Sequence, residues 1–196
     1  MYSLIRIILL IFFKVFFRLE ISGAENIPRS TAAIIAANHS SLWDPPVIGG
    51  CISRYIHFMA KEELFKNPIF SWIITQLKAF PVKRGAADRV AIRNAISLLE
   101  SGELVGLFPE GTRSKTGQLG KAEPGVAMIA IKTGAPIIPT AVIGTGEVFS
   151  SKNFLPKFKV KFGRPIKVEK GKTDKEVLEL ISQSMMIEIS RLLEEG

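Results

Sequence analysis

Short apolar runs of strand length, separated by stretches of helical periodicity, constrain this chain more than any other feature. Residues 32–37 (Ala-Ala-Ile-Ile-Ala-Ala) read as a buried strand, and residues 104–108 and 136–143 are apolar runs of the same kind. Residues 54–60 read as a further strand, with shorter ones at 20–22 and 79–82. Phe158, Val160 and Phe162 alternate with Lys159 and Lys161, the pattern of a half-exposed strand. Between these runs lie the helices. Pro45-Pro46 suits the start of a short helix ending near Gly49-Gly50, and residues 62–77 read as helix broken near Asn67-Pro68. Asp88 opens a helix with Ile92, Ala95, Ile96 and Leu99 as its buried stripe and Gly102 as its stop. Another runs from Pro124 to Gly134. The last opens on a capping-box pattern, Thr173 to Glu176, and carries Leu178, Ile181, Met185, Ile189 and Leu192 at core spacing. Strands alternating with helices imply an α/β layered domain, and 196 residues suit one domain with a real core.

The segment 1–19 stands apart. It is almost wholly Ile, Leu, Phe and Val, yet Arg6, Lys14 and Arg18 gather on one side of a helix with Ser3 among them. Its longest uninterrupted apolar run is residues 7–13, too short for the roughly 18 residues a spanning helix needs. It therefore reads as an amphipathic helix lying in a membrane interface, cations toward headgroups and phenylalanines in the acyl region. A helix packed on the domain's own core is the alternative. Lys14 and Arg18 interrupt the region where a signal peptide would be cleaved. The expected division is an anchoring segment, 1–19, followed by a single domain, 20–196.

Composition narrows the partners. The formal charge is +8 and 47% of residues are hydrophobic, with a sequence pI near 9.7 and a positive mean hydropathy. That balance favours phospholipid surfaces, phosphorylated substrates and acidic carrier proteins. Nucleic acid is disfavoured, because no dense basic run, zinc-ligand pattern or binding motif appears. The single cysteine, Cys51, excludes an intrachain disulfide and fits a reducing compartment.

The strand at 32–37 delivers Asn38-His39-Ser40-Ser41-Leu42-Trp43-Asp44 to its end. A histidine serves as a general base near neutral pH when one ring nitrogen is held as a donor and the other is left to accept. Asp44, folded back through a turn or first helical turn, can do that holding. No serine or cysteine is then needed, provided the nucleophile belongs to the substrate. The strand at 104–108 delivers a second polar stretch, Phe108-Pro109-Glu110-Gly111-Thr112-Arg113-Ser114. Gly111 permits a tight turn that offers backbone N–H groups to an anion, and Arg113 can grip a phosphate bidentately. Other candidates read as structural. Cys51 lies in an apolar stretch, His57 sits between Ile56 and Phe58 in a strand, and Ser40 and Ser41 suit caps of the following turn. Trp43 suits either packing or an acyl channel. Lys152, Lys157, Lys159 and Lys161 form a basic spread that reads as a solvated face or a dock for acidic carrier protein or anionic lipid.

Together these stretches resemble the signatures of the 1-acylglycerol-3-phosphate (lysophosphatidic acid) acyltransferase family. Its Asn-His-x4-Asp block is matched from Asn38 to Asp44, and its Phe-Pro-Glu-Gly-Thr-Arg-Ser block from Phe108 to Ser114. A block ending in arginine is matched by Phe80-Pro81-Val82-Lys83-Arg84, and an apolar residue before proline by Ile138-Pro139. The chain departs from the pattern at Leu77-Lys78, where members often carry glycine, and at Ala122-Glu123, where many carry Phe-Lys. Lys121 is the cation nearest the second departure.

The resemblance implies a mixed central sheet flanked by helices, as in glycerol-3-phosphate acyltransferases. It implies a membrane-associated, monotopic enzyme on the cytoplasmic face that needs neither cofactor nor metal. Its acyl donor is acyl-CoA or acyl-acyl carrier protein. Its acceptor is lysophosphatidic acid, with glycerol-3-phosphate or another lysophospholipid as alternatives. His39 is implied as base and Asp44 as its orienting partner. Arg84, Glu110, Gly111, Thr112, Arg113 and Lys121 are implied as the glycerol-phosphate site, and Ile138 and Pro139 as the acyl region. A non-catalytic protein binding anionic membrane is the alternative from another class.

Overall fold

A computed structural model of the chain describes residues 2–83, 88–114, 116–149 and 154–195. The apolar runs become strands: β1 (Glu20–Ser22), β2 (Ala33–Ala37), β3 (Ile56–Lys61), β4 (Phe80–Val82), β5 (Leu104–Leu107), β6 (Ile137–Ile143) and β7 (Lys159–Phe162). The helices are α1 (Tyr2–Phe17), α2 (Asp44–Cys51), α3 (Pro68–Gln76), α4 (Arg89–Glu100), α5 (Gly125–Thr133) and α6 (Lys175–Glu194). The strands form one seven-stranded sheet in the order β1-β7-β6-β2-β5-β3-β4. Every neighbouring pair is parallel except β6 and β7. The sheet is therefore mixed, as expected.

The central place of β2 explains its composition. It is paired on both edges, by β5 and β6, and all five of its residues are buried. A strand covered on both faces has no polar side, so it reads as an unbroken apolar run. Ala33, Ile35 and Ala37 point into one cluster with Phe13 and Phe17 of α1 and Val47 and Ile48 of α2. Ile34 and Ala36 point the other way, against Ala95 and Leu99 of α4, Ile129 and Ala130 of α5, and Met185 and Ile189 of α6. The result is three layers, with the loops that leave β2 and β5 side by side.

Local signals place the elements. The Asp88 carboxylate accepts hydrogen bonds from the Val90 and Ala91 N–H groups, both at 3.0 Å, capping α4. Gly102 and Gly134, at φ 84° and 72°, end α4 and α5 in left-handed conformation. Gly106 is required for close approach, since a Cβ there would lie 2.3 Å from the Phe58 ring. One expectation fails: α6 is capped at Asp174, not Thr173, and without a side-chain cap bond. Glu176 is then one position too early in the helix to reach back, and the capping box does not form.

The first helix corrects the placing of its phenylalanines. Phe13 and Phe17 are fully buried, and Phe17 stacks on Phe158 with centroids 4.2 Å apart. The helix is thus packed on the domain's own core along one side. Its outward side carries Leu4, Ile7, Ile8, Ile11, Val15 and Phe16, exposed by 44–65%, with Lys14 and Arg18 also exposed. No helix among the described residues is long and apolar enough to cross a membrane. Phe17→Ala is expected to cost about 3–5 kcal/mol in chemical denaturation, and Phe16→Ala no more than about 0.5 kcal/mol.

Candidate active site

The loop leaving β2 is folded around one carboxylate. Asp44, the first residue of α2, is fully buried. Its Oδ2 accepts from the N–H groups of Ser40 and Ser41, both at 2.8 Å, and lies 2.7 Å from His39 Nδ1. Its Oδ1 accepts from the Thr145 hydroxyl at 2.5 Å. A buried carboxylate survives only when its lone pairs are met by donors, and here four donors meet it. Because the ionised carboxylate has no proton to give, His39 Nδ1 carries the hydrogen and Nε2 is left as the basic nitrogen.

The loop leaving β5 holds the same histidine by its backbone. Glu110 is buried, and its Oε1 accepts from the His39 N–H while its Oε2 accepts from the Gly120 N–H, both at 2.9 Å. Ser114 N–H donates to the His39 carbonyl at 2.8 Å. The Phe108 ring stacks on the imidazole with centroids 3.9 Å apart, and Phe58 stacks behind it. Asn38 locks the exit of β2 to β6 by a reciprocal pair of bonds with the Val142 backbone, at 2.9 and 2.7 Å. Both backbone polar groups of His39, one face of its ring and its Nδ1 are therefore fixed before any substrate arrives.

The remaining residues of the predicted site divide between two hollows. Arg113 and Lys121 line the same small polar pocket, of about 290 Å3, with Thr112 and Glu110. Lys121, displaced from the family pattern in sequence, thus lines the same pocket as Arg113. Gly111 does adopt left-handed backbone, at φ 65°. Its N–H, however, closes the turn onto the Phe108 carbonyl at 3.0 Å and so is already engaged rather than presented to an anion. Beyond Phe108 opens a larger, mainly apolar cavity of about 810 Å3, walled by Met59, Ile92, Leu107, Phe108, Val126 and Ile129. Ile138 and Pro139 lie elsewhere: they are buried in β6 opposite Ile35 and Ala36, and the cavity lining includes neither. Arg84 and Lys152 lie outside the described residues.

Of the two serines read as caps of the turn, Ser41 is one, but the Ser40 hydroxyl bonds with Thr145 instead. Ser41 Oγ accepts from the Trp43 N–H at 3.3 Å. Burial pushes the Cys51 thiol up to about 12, so it stays protonated and unreactive near neutral pH. Burial lowers His57, which sits 3.9 Å from Glu103. Lys157 is paired with Glu20 at 2.6 Å. Thr145 was not singled out from the sequence; its one signal was a small polar residue between glycines just past a buried strand. Among the described residues no cluster of His, Cys, Asp and Glu is suited to a metal ion.

Comparison with known proteins shows the family. A family model described as Acyltransferase matches residues 18–143. The 1-acyl-sn-glycerol-3-phosphate acyltransferase of Bacillus subtilis is 35% identical over 150 residues, covering 75% of this chain and 73% of that protein. The chloroplastic 1-acyl-sn-glycerol-3-phosphate acyltransferase LPAT1 of Arabidopsis thaliana is 34% identical over 136 residues. This chain spans only 38% of that protein's length. A crystal structure of the 1-acyl-sn-glycerophosphate (LPA) acyltransferase PlsC from Thermotoga maritima superposes with a TM-score of 0.74 at 33% identity. It covers 97% of this chain and 80% of that one.

The geometry makes Glu110 a bracket between backbone segments. An amide cannot accept two N–H bonds on separate atoms, so Glu110→Gln is expected to lower stability by about 1–3 kcal/mol and activity with it. Activity lost at unchanged denaturation midpoint would instead put the Glu110 carboxylate in contact with substrate.

Proposed function

The chain belongs to the acyltransferase family, with the 1-acyl-sn-glycerol-3-phosphate acyltransferases, and we propose that it acylates lysophosphatidic acid to phosphatidic acid from a thioester donor. The observation that carries this reading is the buried His39–Asp44 pair, whose supports Glu110 and Phe108 also line a pocket bearing Arg113 and Lys121 and an apolar cavity, respectively. Among the described residues, no hydroxyl or thiol is hydrogen-bonded to the His39 ring. Cys51 is held as a thiol, and the Ser40 hydroxyl bonds with Thr145. A base without a protein nucleophile fits a reaction in which the substrate brings its own hydroxyl.

In the proposed step His39 Nε2 takes the proton of the acceptor hydroxyl as that oxygen attacks the thioester carbonyl. A C–O bond forms and the carbonyl becomes an oxyanion. Collapse breaks the C–S bond, and the thiolate leaves with the proton that imidazolium returns. Asp44 offsets the positive charge while it lasts and keeps the ring from turning. Arg113 and Lys121 are suited to the acceptor's phosphate, as two cations lining one pocket. The apolar cavity beginning at Phe108 is suited to an acyl chain. This reading moves the acyl region from Ile138 and Pro139 to the cavity's lining. With both reactants held beside Nε2, positioning supplies much of the rate.

The donor is acyl-CoA or acyl-acyl carrier protein, and the outward apolar side of α1 is suited to the cytoplasmic leaflet surface. The chemistry assigns neither a metal nor a bound cofactor.

The test is thiol release from palmitoyl-CoA by the full chain in detergent, with and without lysophosphatidic acid. Release that requires the acceptor and disappears in His39→Ala is expected; acceptor-dependent release that persists in the variant overturns the role of His39. Liposome binding without release from either donor would favour a binding protein. Arg113→Ala and Lys121→Ala are each expected to raise KM for lysophosphatidic acid about tenfold with less effect on kcat. Unchanged KM values would remove the phosphate from that pocket.

A further inference from the structure

A carboxylate that orients a histidine must itself be oriented. We propose that Thr145 is the positioning residue that does this, acting through Asp44; the proposal rests on the acyl-transfer reading above. Thr145 lies beyond the residues 18–143 matched by the family and outside all the signature blocks. It is nonetheless 1% exposed, and its hydroxyl is 2.5 Å from Asp44 Oδ1. The other three donors to Asp44 all meet Oδ2. Among the described residues, Thr145 alone meets Oδ1, so it completes the fixing of the carboxylate's rotation about its Cβ–Cγ bond, which the donors on Oδ2 constrain from the other side.

The direction of each hydrogen follows from the donor inventory. Asp44 as carboxylate can only accept, so the one proton of Thr145 goes to Oδ1. Ser40 Oγ lies 3.2 Å from Thr145 Oγ1 and must then donate to it. The chain Ser40→Thr145→Asp44 runs in one sense, and each bond polarises the next.

The fold delivers Thr145 to this place with little slack. β6 lies beside β2, and the Asn38–Val142 bonds fasten their exits together. Gly144 then turns the chain at φ 88°. A Cβ at Gly144 would stand 2.2 Å from the Lys157 carbonyl oxygen, so no other residue makes that turn. The turn carries Thr145 into a one-turn 3-10 helix, Thr145–Glu147, under the His39 loop.

The experiment compares Thr145→Val, which keeps the shape and removes the donor, with Thr145→Ser, which keeps the donor. Thr145→Val is expected to lower kcat about 10- to 100-fold with KM for both substrates within about threefold. Thr145→Ser is expected to remain within about threefold of the parent kcat. Loss shared equally by both variants would mean that the site tolerates no change at this residue and that the donor has no separate part, and kcat retained in Thr145→Val would mean the bond is idle; either overturns the proposal. If Thr145→Val does not fold, Thr145→Ala gives the same contrast with serine. A second readout needs no activity: the downfield Nδ1 proton of His39, assigned by its absence in His39→Ala, is followed by NMR. It is expected to broaden or vanish in Thr145→Val and to persist in Thr145→Ser. An unchanged signal in Thr145→Val overturns the positioning role. The expected NMR contrast in a chain without acceptor-dependent thiol release would overturn the acyl-transfer reading alone.

Discussion

The buried carboxylate of Asp44 is the constraint on which the rest of the site depends. An ionised group taken out of water must be met by donors on its lone pairs. The two serine N–H groups, the imidazole and the threonine hydroxyl supply them. Meeting that demand bends residues 38–44 into a tight loop at the end of β2. It also assigns the imidazole tautomer, leaving Nε2 as the basic nitrogen. The same bonds thus satisfy a burial requirement and hold the imidazole in place, as the proposed base role requires.

A second carboxylate supports the first. Glu110 spends both oxygens on backbone N–H groups, one from His39 and one from Gly120. The stretch that signals phosphate recognition in sequence is therefore divided in its duties. Glu110, Ser114 and Phe108 hold the histidine, while Arg113 faces the polar pocket with Lys121. The division follows from the sheet: β2 and β5 are parallel neighbours, so their loops emerge at one end and touch.

The first helix joins two environments. Phe13 and Phe17 complete the core beneath the loop that carries Trp43, and the opposite side stays apolar and exposed. Aromatic packing on one side gives an outward apolar face a fixed orientation relative to His39. A membrane reached through that face would meet the site at a set height and tilt.

Much of this was legible in the chain itself. The strand runs, the caps at Asp88, Gly102 and Gly134, and the His39–Asp44 spacing are local matters of periodicity, dihedral preference and short reach. So was the inertness of Cys51, placed as it is in an apolar stretch. Contacts between distant residues were not legible. Thr145 and Asp44 are 101 positions apart, and Glu110 and His39 are 71 apart. Nothing local to either partner announces the other. Strand order decides which loops share an end of the sheet, and it also turned Ile138 and Pro139 inward; the fold brought Lys121 to the pocket that Arg113 lines. The sequence by itself determined the elements and the His39–Asp44 pairing, because those depend on neighbours along the chain. Only the tertiary structure decided which groups hold that pair still, because burial and hydrogen bonding are settled by what lies nearby in space.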